Sequence, residues 1–271
     1  MEELTPRVIR TSSLADFKGA GRKFSCLTSY DALTAGAFDE AGIEVLLVGD
    51  SAADNVLGYT STLPITVEEM IPFGRAVAGA AKRALVVVDM PFGSYETSAE
   101  DALKNGIQIM KLTGAGAVKL EGGAKVAPQI AALTAAGVPV MAHLGFTPQS
   151  VNQLGGFKVQ GRGEAAEALL ADALAVEAAG AFALVLELVP APIAAEITAK
   201  LSIPTIGIGA GNSTDGQILV WTDFAGLAGH KPRKFVRRFA NLHDTLLEAA
   251  KTYRSEVQSS SFPSADESFP E

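Results

Sequence analysis

Five short apolar runs in this chain each stop at an ionisable residue. VLLVGDS reaches Asp50, LVVVDMP Asp89, AVKLEGG Glu121, VPVMAHLG His143 and FALVLELVP Glu187. A strand that is apolar on both faces is buried on both faces, the habit of parallel sheets covered by helices. Strands are predicted at residues 24–28, 44–48, 85–88, 117–120, 138–142, 182–186, 203–208 and 217–221. Helical stretches fall between them at 32–41, 66–82, 99–113, 125–136, 164–179 and 193–200. Thr66 with Glu69 has the spacing of a capping box, Ser98 stands as a second N-cap, and Thr147 before Pro148 as a third. Strand–helix alternation favours a parallel sheet, and eight units favour closure into a TIM (β/α)8 barrel. The 271 residues suit the typical size of about 250 for that fold. The competing arrangement, an open doubly wound sheet, wants one dominant switch-point site rather than polar ends on five strands.

The expected organisation is an N-terminal arm over 1–22, one barrel domain over 23–254 and a polar tail over 255–271. The arm, or a short helix in it, covers one end of the core. A last helix is expected over 233–253, where Phe235, Phe239, Leu242, Leu246, Ala249 and Tyr253 form one apolar stripe. It would dock on the barrel or on a neighbouring subunit. The tail is expected to be disordered, or ordered only in an oligomer. Two connections are long, 52–65 and 144–163, and a long loop in a compact α/β unit is more often functional than idle. The second is glycine-dense and expected to be mobile.

A formal charge of −8 and a pI near 5.0 argue against nucleic-acid and anionic-membrane partners. The one cysteine, Cys26, lies in an apolar run and reads as core. It excludes an internal disulfide and a cysteine-rich zinc site. No secretory h-region stands at the N-terminus, and no run approaches the ~18 apolar residues of a membrane span. A cytoplasmic protein is expected.

In an α/β barrel the C-terminal ends of the strands surround the active site. That rule gathers Asp50, Asp89, Glu121, His143 and Glu187 at one mouth. Any single acid there could simply cap the helix that follows; several together call for a cation, since neighbouring carboxylates resist joint ionisation. Oxygen donors without a cysteine cluster point to Mg²⁺ or a similar hard ion, with Asp50 and Asp89 as first-choice ligands and Glu121 beside them, directly or through water. Lys119 shares a strand face with Glu121, so it either holds a substrate carboxylate or forms a structural ion pair with that acid. Glu187, among apolar neighbours, is expected to have a raised pKa and to suit proton abstraction; the alternative is a buried acid paired with a helix end. His143 is a substrate hydrogen-bond donor or a satisfied strand-end residue. His230 and His243 read as structural. The turn from Gly207 to Gly211 offers backbone N–H groups to an anion, or is only a tight turn.

These residues lie in stretches that resemble the ketopantoate hydroxymethyltransferase family. The matching segments are LTSYDALTA, LLVGDSAADNVLGY, STLPITVEEM, DMPFGSYE, VKLEGG, HLGFTPQSVNQLGGFKVQGRG, LVLELVP and PTIGIGAGNSTDGQILV. They run from about residue 20 to 230, and the HLGFTPQSVN and GGFKVQGRG pair is highly specific. The resemblance implies a TIM barrel of the phosphoenolpyruvate/pyruvate type in a homo-oligomer, often a decamer. It implies Mg²⁺ on Asp50 and Asp89 with Glu121 nearby, keto-acid contacts from Asp50, Ser51, Asp89 and Lys119, and Glu187 as base. The reaction implied makes 2-dehydropantoate for pantothenate, with 5,10-methylenetetrahydrofolate as one-carbon donor. Two positions depart from the family pattern: Thr60 replaces an expected acid, and the tail carries DESFP where a histidine is frequent before Ser-Phe. A C–C lyase on the same barrel, or a non-catalytic keto-acid-binding scaffold, are the rival readings.

Overall fold

The structure is a computed structural model that describes residues 8–229 and 231–270. Among these, eight parallel strands close into a barrel in sequence order: β1 Phe24–Thr28, β2 Val45–Val48, β3 Leu85–Asp89, β4 Ala117–Glu121, β5 Val140–Gly145, β6 Ala183–Glu187, β7 Thr205–Ile208 and β8 Gly216–Leu219. Helix α1 spans Thr11–Gly19. The helices between strands are α2 Ala32–Glu40, α3 Ala52–Asn55, α4 Val67–Ala80, α5 Ala99–Thr113, α6 Ala127–Ala135, α7 Val151–Leu154, α8 Ala165–Ala178 and α9 Ala191–Lys200. The expected alternation and barrel are present, with element ends displaced by a few residues and a short helix inside the 52–65 connection.

Local chemistry explains many of the boundaries. Asp31 caps α2 by accepting from the N–H groups of Leu33 and Thr34. Thr66 and Glu69 form the reciprocal box that starts α4, at 3.2 and 2.9 Å. Ser98 starts α5, and Gly114, left-handed at φ 78°, ends it. Thr147 makes no capping bond, contrary to expectation: a 3-10 turn over Pro148–Ser150 follows it, and other groups take up that turn's backbone.

The inward-facing rows decide where chemistry can sit. Residues alternate across a strand, and one buried cluster contains Phe24 and Cys26, Val45 and Leu47, Leu85 and Val87, Ala117, Met141, Ala183 and Val185. Ile9 and Leu14 belong to the same cluster, so the N-terminal segment closes the end from which the strands start. Two residues further along each strand, the same inward rows reach Asp89 on β3, Lys119 and then Glu121 on β4, His143 on β5 and Glu187 on β6. The apolar layer thus gives way to an ionisable layer at the C-terminal end, where βα loops can reach it.

Residues Trp221–Glu271 form a separate compact unit. It contains α10, Trp221–Phe224, and α11, Leu242–Gln258. The last helix therefore begins nine residues later than the apolar stripe suggested, at Leu242 rather than Arg233. Phe239 is drawn out of helical geometry by tertiary pairing within the unit: its N–H donates to the Phe224 carbonyl at 2.8 Å, and the two rings stand 5.1 Å apart. Residues 255–258 continue α11, and Ala265–Glu267 make one 3-10 turn. His230 lies outside the described residues. No helix among the described residues is long and apolar enough to cross a membrane.

Candidate active site

Strand β2 ends at Val48, and the chain turns at once. Ala52 and Ala53 donate backbone N–H groups to the carbonyls of Gly49 and Asp50 at 3.0 and 2.9 Å. Gly49 has no side chain to spare: a Cβ there would lie 2.8 Å from Ser51 Oγ and 3.5 Å from Asp89 Oδ2. That close approach lets the Asp50 N–H donate to Asp89 Oδ2 at 3.0 Å. Ser51 Oγ pairs with the Tyr30 hydroxyl at 2.8 Å. Burial first of all raises the Tyr30 pKa above the usual phenol range, so the hydroxyl stays protonated.

Lys119 meets Asp89, not Glu121. Its Nζ is 2.6 Å from Asp89 Oδ1, with both side chains buried. The register explains this, because Asp89 and Lys119 are direct cross-strand partners. Burial works against the ammonium, but the charges of Asp89, Glu121 and Asp50 outweigh it and hold the Lys119 pKa above the lysine range.

His143 stands between two acids. Nδ1 is 3.3 Å from Glu121 Oε1, and Nε2 is 3.4 Å from Glu187 Oε2. Neither contact has the alignment of a hydrogen bond, so the attraction is one of charge. Burial and Lys119 oppose the imidazolium, yet pairing with Glu121 and Glu187 raises its pKa to about 9. Glu187 is the more open member of the group, its side chain 12 % exposed. Its backbone is held against β5: the Phe146 N–H donates to the Glu187 carbonyl at 2.8 Å. Gly145, at φ 92°, makes that approach possible, since a Cβ there would collide with the same carbonyl oxygen. Leu188 follows at φ 50°, a backbone region most side chains avoid.

The pattern of charged strand ends does not point to two further site residues. Gln149, just past Pro148, donates from Nε2 to Asp50 Oδ2 at 2.9 Å and to the Met90 carbonyl at 3.1 Å. Its backbone N–H donates to Glu121 Oε2 at 3.0 Å. Tyr95 donates its hydroxyl proton to Gln149 Oε1 at 2.6 Å and accepts the Glu121 N–H at 3.2 Å. Both lie inside segments, DMPFGSYE and HLGFTPQ, whose specificity was the available signal.

A cation fits the Asp50–Asp89 corner. Burial, and then the facing carboxylates of Asp89 and Glu121, push Asp50 up to about 8, although Lys119 and Gln149 act the other way. A surplus of buried negative charge of this kind is what a divalent ion relieves. Asp89 is ion-paired with Lys119 through Oδ1, accepts the Asp50 N–H on Oδ2 and keeps further lone pairs, as does Asp50. Among the described residues no three His, Cys, Asp or Glu side chains are arranged as a metal cluster. One or two carboxylates, with the remaining positions left to water and substrate, is the pattern Mg²⁺ accepts. Glu121 directs its oxygens at His143 and Gln149. At the end of β7, Gln217 Nε2 donates to the Gly211 carbonyl at 2.8 Å, which ties the glycine-rich turn to β8.

The fold is shared with solved enzymes of low sequence identity. Phosphonopyruvate hydrolase in complex with oxalate and Mg²⁺ superposes with a TM-score of 0.62 at 14 % identity, covering 96 % of this chain and 93 % of that one. For 2,3-dimethylmalate lyase, of the PEP mutase/isocitrate lyase superfamily, the TM-score is 0.60 at 16 % identity, with 97 % and 93 % covered. Sequence relatives are nearer. A 3-methyl-2-oxobutanoate hydroxymethyltransferase from Rhodococcus jostii is 57 % identical over 98 % of this chain and 92 % of its own length. One from Leifsonia xyli is 58 % identical over 98 % and 96 %. The sequence profile of ketopantoate hydroxymethyltransferase matches residues 8–265. With barrel, acid layer and near full-length identity in agreement, the chain belongs to the ketopantoate hydroxymethyltransferase family and is a hydroxymethyl-transferring enzyme.

Proposed function

We propose that the chain moves a one-carbon unit from 5,10-methylenetetrahydrofolate to 3-methyl-2-oxobutanoate, giving 2-dehydropantoate, and that Asp50 and Asp89 hold a Mg²⁺ ion for the purpose. The observation that carries this reading is the contact of Asp50 with Asp89, 3.0 Å from Asp50 N to Asp89 Oδ2, with Lys119 against Asp89 and Glu187 against His143 at the end of β6. Bound there, the ion supplies Lewis-acid polarisation of the keto oxygen, which acidifies the neighbouring C–H.

The protein groups do the rest. Lys119 and the Ser51 turn hold the substrate carboxylate by charge and hydrogen bonding. Glu187 removes the C3 proton, a contribution of about 10²–10⁴-fold for a positioned base. His143 faces Glu187 as an imidazolium, so in this reading it aims the base and does not touch the substrate. The electron pair left on C3 forms a bond to the methylene carbon as that carbon's bond to one folate nitrogen breaks; water then replaces the other nitrogen, giving the hydroxymethyl product and tetrahydrofolate, whose two nitrogens take up the proton removed from C3 and one from water. Glu121, occupied by His143 and Gln149, acts on the ion through water at most. The 144–163 connection shields the opening, since an enolate in open water is readily reprotonated. The enzyme on this reading works in the cytoplasm as a homo-oligomer, decameric as in the family.

Exchange in D₂O tests the reading without folate. With 3-methyl-2-oxobutanoate and Mg²⁺, the C3 proton signal is expected to disappear from the NMR spectrum. Glu187→Gln is expected to slow this by about 10²-fold or more while leaving metal affinity near normal. Exchange at the wild-type rate in that variant would remove Glu187 from the role. Formation of 2-dehydropantoate only when the folate donor is added completes the assignment.

A further inference from the structure

Residue 149 holds two of the site's acids at once, and its orientation is not free. The Tyr95 hydroxyl has one proton and accepts the Glu121 N–H at 3.2 Å. It therefore gives that proton to Gln149 Oε1, 2.6 Å away. Were the amide flipped, its oxygen would face Asp50 Oδ2 at 2.9 Å and the Met90 carbonyl at 3.1 Å, lone pair against lone pair. Its NH₂ would meanwhile meet a hydroxyl already accepting from Glu121. Only the unflipped amide satisfies every group, in a site where Tyr95 is 1 %, Gln149 6 % and Asp50 4 % exposed.

We propose that Gln149 and Tyr95 form a positioning pair that selects which oxygen of Asp50 is offered to a divalent cation. The Gln149 amide engages Oδ2 and leaves Oδ1, which has no hydrogen-bond partner among the described residues, to face the cation. Tyr95 touches neither cation nor substrate; it acts by holding the amide. The backbone N–H of the same glutamine fixes Glu121, so the loop after β5 sets the spacing between the acids of β2 and β4. This rests on the metal reading above. It differs from that reading in what it demands: the grip of Asp50 on the ion depends on a neutral side chain ninety-nine residues away.

The test is Mn²⁺ binding to the full-length protein without substrate, followed by the loss of the free-ion EPR signal. Supporting groups of this kind are typically worth about 10–100-fold in metal affinity. Gln149→Ala is expected to weaken Mn²⁺ by a factor in that range, and Tyr95→Phe by a smaller factor in the same direction. The double variant should bind as weakly as Gln149→Ala alone, because Tyr95 works through Gln149. Thermal melting without metal accompanies each titration. If Gln149→Ala does not fold, Tyr95→Phe decides the matter alone. Wild-type affinity in a folded Tyr95→Phe or Gln149→Ala protein, or losses that multiply in the double variant, would overturn the proposal. A wild-type protein that binds no Mn²⁺ would overturn the metal reading itself.

Discussion

Asp50 donates its backbone N–H to the side chain of Asp89 at 3.0 Å, so two acids separated by 39 positions lie in contact. Asp89 in turn meets Lys119 at 2.6 Å. The site is thus a chain of opposed charges, with one buried ammonium serving a group of carboxylates. Its behaviour when that balance is disturbed can be anticipated.

Removing the ammonium should hurt more than removing its nearest acid. Lys119→Met leaves Asp50 and Asp89 buried without their ammonium, the His143 imidazolium facing Glu121 instead, whereas Asp89→Asn leaves Lys119 with two other acids nearby. Breaking a buried pair costs about 3–5 kcal/mol, and Lys119→Met is expected in that range with Asp89→Asn below it. The double variant should lose less than the sum of the two. Urea unfolding in EDTA measures all three; equal losses from the single variants would contradict this charge balance.

Divalent metal should stabilise the folded chain. Binding to the native state alone adds about 2.7 kcal/mol at a concentration of 100 times Kd. The melting temperature is expected to rise with Mg²⁺ in the wild type and to stay flat in Asp50→Asn. A comparable rise in Asp50→Asn would place the ion elsewhere.

The Gly145 position is expected to link backbone geometry to catalysis. Gly145→Ala forces a Cβ against the Glu187 carbonyl at a φ of 92°. The strain should cost roughly 1–3 kcal/mol. Because the displaced residue is the proposed base, C3 exchange should fall by about 10²-fold, the scale of a small misplacement. Mn²⁺ affinity should hardly move, since Asp50 and Asp89 sit on other strands. A loss of stability with normal exchange would show that Glu187 tolerates the shift.

The opposite end of the barrel should answer only to stability. Leu14 is wholly buried in the cluster that closes the strand N-termini. Leu14→Ala is expected to cost about 2–5 kcal/mol through lost packing and the cavity left behind. Turnover below the melting range should remain within about twofold of wild type, as the bottom of such a barrel serves stability. A large fall in kcat at full folding would refute that division of labour.

Much of this architecture is written in short-range pattern. Apolar runs bounded by Gly42, Gly114 and capping residues such as Asp31, Thr66 and Ser98 mark strands and helix ends, because capping and alternation involve residues a few positions apart. Alternation also places Lys119 and Glu121 on one face and predicts that the strand-end acids share a mouth. What alternation cannot supply is partnership across strands. Lys119 pairs with Asp89 because of the β3–β4 register, and His143 is held between Glu121 and Glu187 because β4, β5 and β6 adjoin. Gln149 reaches Asp50 only once the loop after β5 is seated over the closed barrel, and Phe239 leaves its expected helix for Phe224. Local sequence determined the elements and the inward rows, since those depend on each residue's own backbone. Tertiary structure decided which charges meet, since that depends on register, closure and the seating of loops.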